Sequence, residues 1–249
     1  MDGRLWPTRL PFVKDRTPVP LNLSPVTDLL PAAVLWDMDG TLVDTEPYWL
    51  TAEAELVESF GGTWTQEDGL TLVGSGLWRT ASVLQHRGVA LTEDEIVQRL
   101  TDRVMEQIEG GVPWRPGALE LLADLHDAGI PTALVTMSIR RMADHVSSFL
   151  PFAGFDQIVA GDSVTHSKPH PEPYLRGAEL LGVDAVDCVA IEDSTTGLAS
   201  ALAAGAVAVG VPLHSPLEHG RGYTIWPTLA GRNLTHISEL LHSNRTDAA

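Results

Sequence analysis

The sequence predicts an α/β protein, a parallel sheet flanked by helices with a helical domain inserted into it. Three observations carry that expectation. Short apolar runs of strand length alternate with longer amphipathic stretches, the pattern of strands and crossover helices. Prolines and glycines punctuate those stretches where helices start and stop. A chain of 249 residues with 44% hydrophobic content can bury one large core, or a core plus an insertion, without disulfides or metals as staples.

Taken in order, residues 1–31 contain Pro7, Pro11, Pro18, Pro20, Pro25 and Pro31 but no continuous apolar stretch of the signal-peptide kind, and are expected to be a flexible tail. Residues 32–36 read as the first strand. Residues 46–114 then break the alternation, offering several helical segments and no parallel strand, so they are expected to form a helical cap. Thr92 and Glu95 have the spacing of a capping box that opens one of its helices. Inserted after the first strand, such a cap overhangs the carboxyl end of the sheet, where open α/β folds bind ligands. The core resumes with a helix over residues 116–127 that stops at Gly129, followed by strands over 131–135 and 158–160. Pro171 and Pro173 open a helix ending near Gly182, residues 186–191 form a fourth strand, and residues 206–209 a fifth. The helix between the last two strands, 195–204, is rich in alanine and must pack closely on the sheet. The core domain is thus assigned to 32–45 and 115–240, and the polar residues 241–249 to a second flexible tail.

Composition excludes several functions. With 33 acidic against 16 basic residues the formal charge is −17, and no local basic patch offsets it, so neither nucleic acid nor an anionic membrane is an expected partner. No obligate protein partner is implied. No window approaches the 18 to 20 apolar residues, roughly, that span a bilayer, and a cytoplasmic location is expected. Cys188 is the only cysteine, which rules out an internal disulfide and a cysteine-rich metal site; within an apolar run it reads as a packed thiol. Lysine occurs only at Lys14 and Lys168.

The chemistry concentrates at strand ends. The first strand runs into Asp37, Met38, Asp39, Gly40 and Thr41, two carboxylates one residue apart at a glycine turn. Alone, such a motif also occurs in ordinary turns and calcium loops. A second acidic pair, Glu192 and Asp193, ends another buried strand. If the two strands are neighbours, these like charges crowd together and call for a cation, and an all-oxygen set favours magnesium. Thr136, Met137 and Ser138 follow the second strand and lead into a helix, where a hydroxyl and backbone N–H groups can face an anion, although Thr136 can equally be a helix cap. Lys168 lies between the third strand and the next helix, next to Pro169. Such a lysine is often only a solvated charge, but this chain has almost no other.

Together these four segments, in this order over residues 32–212, resemble the four motifs of the haloacid dehalogenase superfamily. The subgroup resembled carries a helical cap after the first strand and includes sugar-phosphate phosphatases and beta-phosphoglucomutase. The resemblance implies a Rossmann-like parallel sheet in the order 5-4-1-2-3. It implies a magnesium-dependent phosphatase acting on a small phosphorylated metabolite through an aspartyl-phosphate intermediate. Asp37 would be the nucleophile and Asp39 the general acid and base, with Thr136, Met137 and Lys168 binding phosphate. Asp37, Asp39, Glu192 and Asp193 would form the magnesium site. Within the cap, Gly74, Trp78 and Arg79 lie in a segment similar to the substrate loop of related caps, and Thr45, Glu46 and Trp49 follow the first motif closely enough to line the same cleft. Arg79 can also be an exposed helix residue, and Trp49 a hinge-packing one.

Three other activities are weighed on the same residues. A phosphomutase of the beta-phosphoglucomutase type is the main alternative, but its relatives place a histidine where this chain has Trp49. Hydrolytic dehalogenases lack the second aspartate supplied here by Asp39. Phosphonate cleavage needs a cap lysine to form an imine, and residues 46–114 contain none. A non-catalytic protein that merely keeps the fold is the alternative of a different class.

Overall fold

The computed structural model describes residues 30–247. The expected N-terminal tail, with Lys14, lies almost wholly outside them. Among the described residues six strands form one parallel sheet: β1 (Ala33–Trp36), β2 (Thr132–Val135), β3 (Gln157–Val159), β4 (Cys188–Glu192), β5 (Val207–Gly210) and β6 (Thr224–Ile225). Their order is β3-β2-β1-β4-β5-β6, the expected 5-4-1-2-3 arrangement read from the other edge with one strand added. The short β6 pairs with β5 in parallel, Val209 opposite Thr224.

Residues along β1 alternate between two cores. Val34 and Trp36 point into the layer formed by helices α5 (Ala118–Asp127), α6 (Arg140–Ser148) and α9 (Leu234–Asp247). Ala33 and Leu35 point into the opposite layer, against α7 (Glu172–Leu181) and α8 (Thr195–Ala203). Small side chains, Ala133, Ala190 and Ala208, line that second face, which lets α7 and α8 approach the sheet closely. Pro173 stands in the first turn of α7 and Gly182 closes it in the left-handed conformation, as their residue types dictate.

Two expectations about the chain are corrected. Residues 241–247 are the last turns of α9 rather than tail. Leu234, Ile237 and Leu241 recur at helical spacing and are buried, so the helix is anchored by its apolar stripe despite a polar exterior. Val186, assigned to the fourth strand, sits in a 3₁₀ turn over Ala185–Asp187 and is 59% exposed; pairing with β1 begins only at Cys188. Cys188 itself is fully buried, and burial pushes its thiol up to about 12, which fits a packed, unreactive group.

The cap consists of α1 (Glu46–Ser59), α2 (Gln66–Leu70), α3 (Leu77–His86) and α4 (Glu93–Ile108). Its interior is formed by Ala52, Leu56 and Val57 of α1 against Leu77, Ala81 and Leu84 of α3 and Ile96, Leu100 and Val104 of α4. The Thr92–Glu95 capping box is present at the start of α4. The two strands of chain that join cap to core run side by side: Asp44 N–H donates to Pro113 O at 2.8 Å and Arg115 N–H to Leu42 O at 3.0 Å. Arg115 is buried there, and its guanidinium donates to the carbonyls of Gly40 and Val211, tying the turn after β1 to the loop after β5.

Candidate active site

The site lies at the carboxyl ends of β1, β2 and β4, beneath the cap. Because β1 and β4 are direct neighbours, with Trp36 opposite Ile191, the acidic pairs that follow them are brought together. Asp37, Glu192 and Asp193 are all buried, and each offers a carboxylate oxygen within 4.8 Å of the others. Two glycines make this crowding possible. Gly40 turns at φ +83°, and a Cβ there would stand 2.1 Å from Asp193 Oδ2. A Cβ on Gly197 of α8 would stand 1.9 Å from Glu192 Oε1.

Lys168 reaches this cluster from the opposite side. Its ammonium donates to Asp37 Oδ1 at 2.7 Å, to Glu192 Oε1 at 2.6 Å and to the Val135 carbonyl at 2.9 Å, so all three of its protons are used. Burial works against the charge on Lys168, but Asp37 and Glu192 outweigh it and hold the pKa above the usual lysine range. The Tyr174 hydroxyl donates to the same Glu192 oxygen at 2.6 Å. Burial, followed by the charge of Glu192, raises the Asp37 carboxyl to about 7 against the pull of Lys168. Burial, then Asp37 and Glu192, raises Asp193 as well. One lysine therefore does not balance three carboxylates, and Asp37 Oδ2 is a buried oxygen without a hydrogen-bond partner. An unsatisfied oxygen, a glycine-cleared approach and an all-carboxylate donor set fit a hard divalent cation.

Asp39 stands apart from this cluster. The family resemblance implies a metal-site role for Asp39 too; its carboxylate is turned toward other groups. Oδ1 accepts from the Thr45 hydroxyl at 2.6 Å and from the Trp49 indole N–H at 3.1 Å. Oδ2 accepts from the Ser138 hydroxyl at 2.8 Å and the Thr136 hydroxyl at 3.3 Å. The all-carboxylate cluster at these strand ends is thus Asp37, Glu192 and Asp193; His166, His170 and Glu172 form a separate, more exposed group of possible ligands. Thr136 is not a helix cap either: α6 starts at Arg140, with Ile139 in the cap position.

The cleft between cap and core is lined by Asp37, Asp39, Thr136, Met137, Lys168 and Asp193 below, and by Glu46, Trp49, Gly74 and Thr80 of the cap above. Gly74, at φ +74°, lies over Ser194, close enough that an added methyl would meet its Cβ at 3.5 Å. Trp78 and Arg79 are not in that wall. They border an open groove beside residues 165–170, where Arg79 is exposed and Trp78 donates to Asp94 at 2.8 Å. Three residues of the site have roles that the sequence motifs do not single out. Ser138 is the closer of Asp39 Oδ2's two hydroxyl donors. Tyr174 stands in the first turn of the helix after Lys168. Glu53 shares the cleft with Glu46, seven residues earlier on α1, a spacing that is itself a sequence signal.

Comparison with known proteins agrees with this geometry. The family model described as haloacid dehalogenase-like hydrolase matches residues 34–211. Hexitol phosphatase B of Escherichia coli (strain K12) is 31% identical over 184 residues, covering 72% of this chain and 83% of that protein. Fructose-1-phosphate phosphatase YqaB of the same organism is 32% identical over 184 residues, covering 73% and 97%. Among solved structures, a CbbY mutant from Rhodobacter sphaeroides in complex with xylulose-(1,5)bisphosphate superposes with a TM-score of 0.74 at 28% identity, covering 81% of this chain and 96% of that one. The match spans both strand ends that bear the acidic pairs, the lysine loop and the whole cap, and the chain belongs to the haloacid dehalogenase-like hydrolases.

Proposed function

We propose that this phosphoric monoester hydrolase removes phosphate from a small phosphorylated sugar or polyol, with magnesium at the carboxylate cluster and a phosphoaspartate on Asp37. The observation that carries the reading is the environment of Asp37. One of its oxygens is bonded to Lys168 and the other has no partner, at the floor of the cleft between cap and core. The similar hexitol and fructose-1-phosphate phosphatases support the choice of substrate class.

In the first half-reaction the Asp37 carboxylate attacks phosphorus and the bond from phosphorus to the sugar oxygen breaks. A magnesium ion held by Asp37, Glu192 and Asp193 would supply charge neutralisation for the phosphoryl oxygens. Lys168 neutralises part of the negative charge that Asp37 and Glu192 bury. Asp39, positioned by four donors, gives a proton to the departing sugar oxygen. In the second half-reaction Asp39 takes a proton from water as that water attacks phosphorus, releasing inorganic phosphate and restoring Asp37. Acid–base help of this kind is worth about 10²- to 10⁴-fold. Thr136 and Met137 line the same cleft, and on this reading they contact the phosphoryl group.

The test is phosphate release from a panel of phosphorylated sugars and polyols, with and without magnesium, by the wild type and Asp37→Asn. Metal-dependent turnover that the variant lacks is expected. Turnover by Asp37→Asn at the wild-type rate contradicts the assignment.

A further inference from the structure

The loop from which Lys168 reaches Asp37 carries a second set of metal-ligand side chains. His166 and His170 flank Lys168, each two residues away, and Glu172 opens α7. Among the described residues, theirs is one of two groups whose His, Cys, Asp or Glu ligand atoms all lie within 4.8 Å of one another, the other being the carboxylate cluster of Asp37. The two imidazoles stack with ring centres 4.4 Å apart. Glu172 Oε2 stands 2.7 Å from His166 Nδ1 and 4.0 Å from His170 Nδ1. The backbone fixes this carboxylate: Oε1 accepts from Thr165 N–H at 2.7 Å and Oε2 from His166 N–H at 2.9 Å. The Thr165 N–H, followed by the His166 side chain, holds Glu172 below the usual glutamate range, so it is an anion near neutral pH. His170 Nδ1 accepts from Glu172 N–H at 3.2 Å, which turns its lone pair toward the same residue. The imidazole side chains are 61% and 48% exposed, on the open groove bordered by Trp78 and Arg79, so an ion can reach them from solvent.

We infer that His166, His170 and Glu172 bind a divalent ion of the zinc class, at a site separate from the carboxylate cluster, and that the ion stiffens the loop carrying Lys168. Two imidazoles and a carboxylate are ligands that zinc and its first-row neighbours take readily, whereas magnesium is held by oxygen. Ligand atoms about 2.0 to 2.1 Å from a tetrahedral zinc stand about 3.3 to 3.4 Å from one another. The observed separations of 2.7 and 4.0 Å lie on either side of that spacing. Turning the two exposed rings out of their stack brings both nitrogens to one ion, each with the ion in its ring plane, and leaves the fourth position to water. The ion takes the place of the hydrogen between His166 Nδ1 and Glu172; a neutral imidazole moves that proton to Nε2 and a charged one releases it to solvent. Binding therefore weakens as the pH falls. Glu172 can keep Oε1 on Thr165 N–H, and the Ser200 hydroxyl donates to the His170 carbonyl, tying the loop to α8. Bridging residues on both sides of Lys168 closes the loop without using the ammonium that reaches Asp37. None of this depends on the phosphatase reading.

The test titrates the full chain, saturated with magnesium, with cobalt(II) as a spectroscopic substitute for zinc. Four-coordinate cobalt with imidazole ligands absorbs far more strongly in the visible than six-coordinate cobalt on carboxylates. About one such cobalt per chain is expected, displaced by zinc, in the wild type and equally in Asp193→Asn, which alters only the carboxylate cluster. His166→Gln and His170→Gln change exposed side chains and should each weaken binding at least about tenfold, the least that partners outside a ligand shell usually contribute. Zinc added over excess magnesium should raise the melting temperature of the wild type and leave that of the double histidine variant unchanged. Absence of the strong cobalt band, its persistence in the double histidine variant, its loss in folded Asp193→Asn, or an equal zinc-induced rise in melting temperature with and without the histidines overturns the site.

Discussion

Trp49, on the first helix of the cap, donates its indole N–H to Oδ1 of Asp39, 3.1 Å away on the core, so the proposed proton-transfer group is held partly by the domain that covers it. Trp49→Phe keeps the ring and removes the donor. We expect kcat/KM on a sugar phosphate to fall about 10- to 100-fold. The loss should be smaller on p-nitrophenyl phosphate, whose leaving group needs little protonation. Equal losses on the two esters would show that Trp49 serves packing alone.

Lys168 is the counter-charge of a buried acidic pair. Lys168→Met leaves Asp37 and Glu192 facing each other in a dry site, and breaking such a pair costs about 3 to 5 kcal/mol. Thermal melts should show a large destabilisation without divalent cation and partial recovery when magnesium is added. Activity should not recover with it. A variant as stable as wild type in EDTA would mean that the pair is not a stabilising element.

Magnesium itself should raise the melting temperature. At a hundredfold excess over Kd, binding to the native state adds about 2.7 kcal/mol. For a chain of this size that corresponds to roughly 5 to 10 °C. Asp193→Asn should abolish most of the shift together with turnover. Full turnover after exhaustive EDTA treatment contradicts the metal assignment.

Burial raises Glu53 from 4.5 in an ordinary setting to about 8 in the folded chain. The folded state therefore holds a proton that the unfolded state releases. Stability linked to Glu53 is complete below about pH 4.5, declines as pH rises, and is lost above about pH 8. Glu53→Gln has no such loss, so its melting temperature relative to wild type should climb between pH 5 and pH 8, by the equivalent of about 2 to 4 kcal/mol. A pH-independent difference would show that Glu53 is not buried in the way described.

Much of this architecture is legible in the sequence, because the strands that matter are short buried runs ending in chemically distinctive residues. Asp37, Thr136 and Asp193 each follow a fully buried strand, and direct β1–β4 pairing does the rest. What is hard to read follows from weaker signals. Strand β6 is two residues long and only partly buried, too short for any periodicity. Helix α9 carries polar residues around the stripe of Leu234, Ile237 and Leu241, so composition suggested a tail where spacing indicates a helix. The direction of the Asp39 carboxylate, toward Thr45, Trp49 and Ser138 rather than toward the acidic cluster, depends on contacts that bridge cap and core, which no local pattern encodes.

The central claim is that Asp37 carries the phosphoryl group. It is tested most directly by rapid mixing of Asp39→Asn with p-nitrophenyl phosphate and magnesium, followed by acid quench and peptide mass spectrometry. The leaving group departs without an acid, but the variant lacks the base that activates water, so the intermediate accumulates. The account predicts a burst of about one p-nitrophenol per active site and a hydroxylamine-labile phosphoryl group on the peptide containing Asp37. Turnover with no burst, or a phosphoryl group on any other residue, contradicts it.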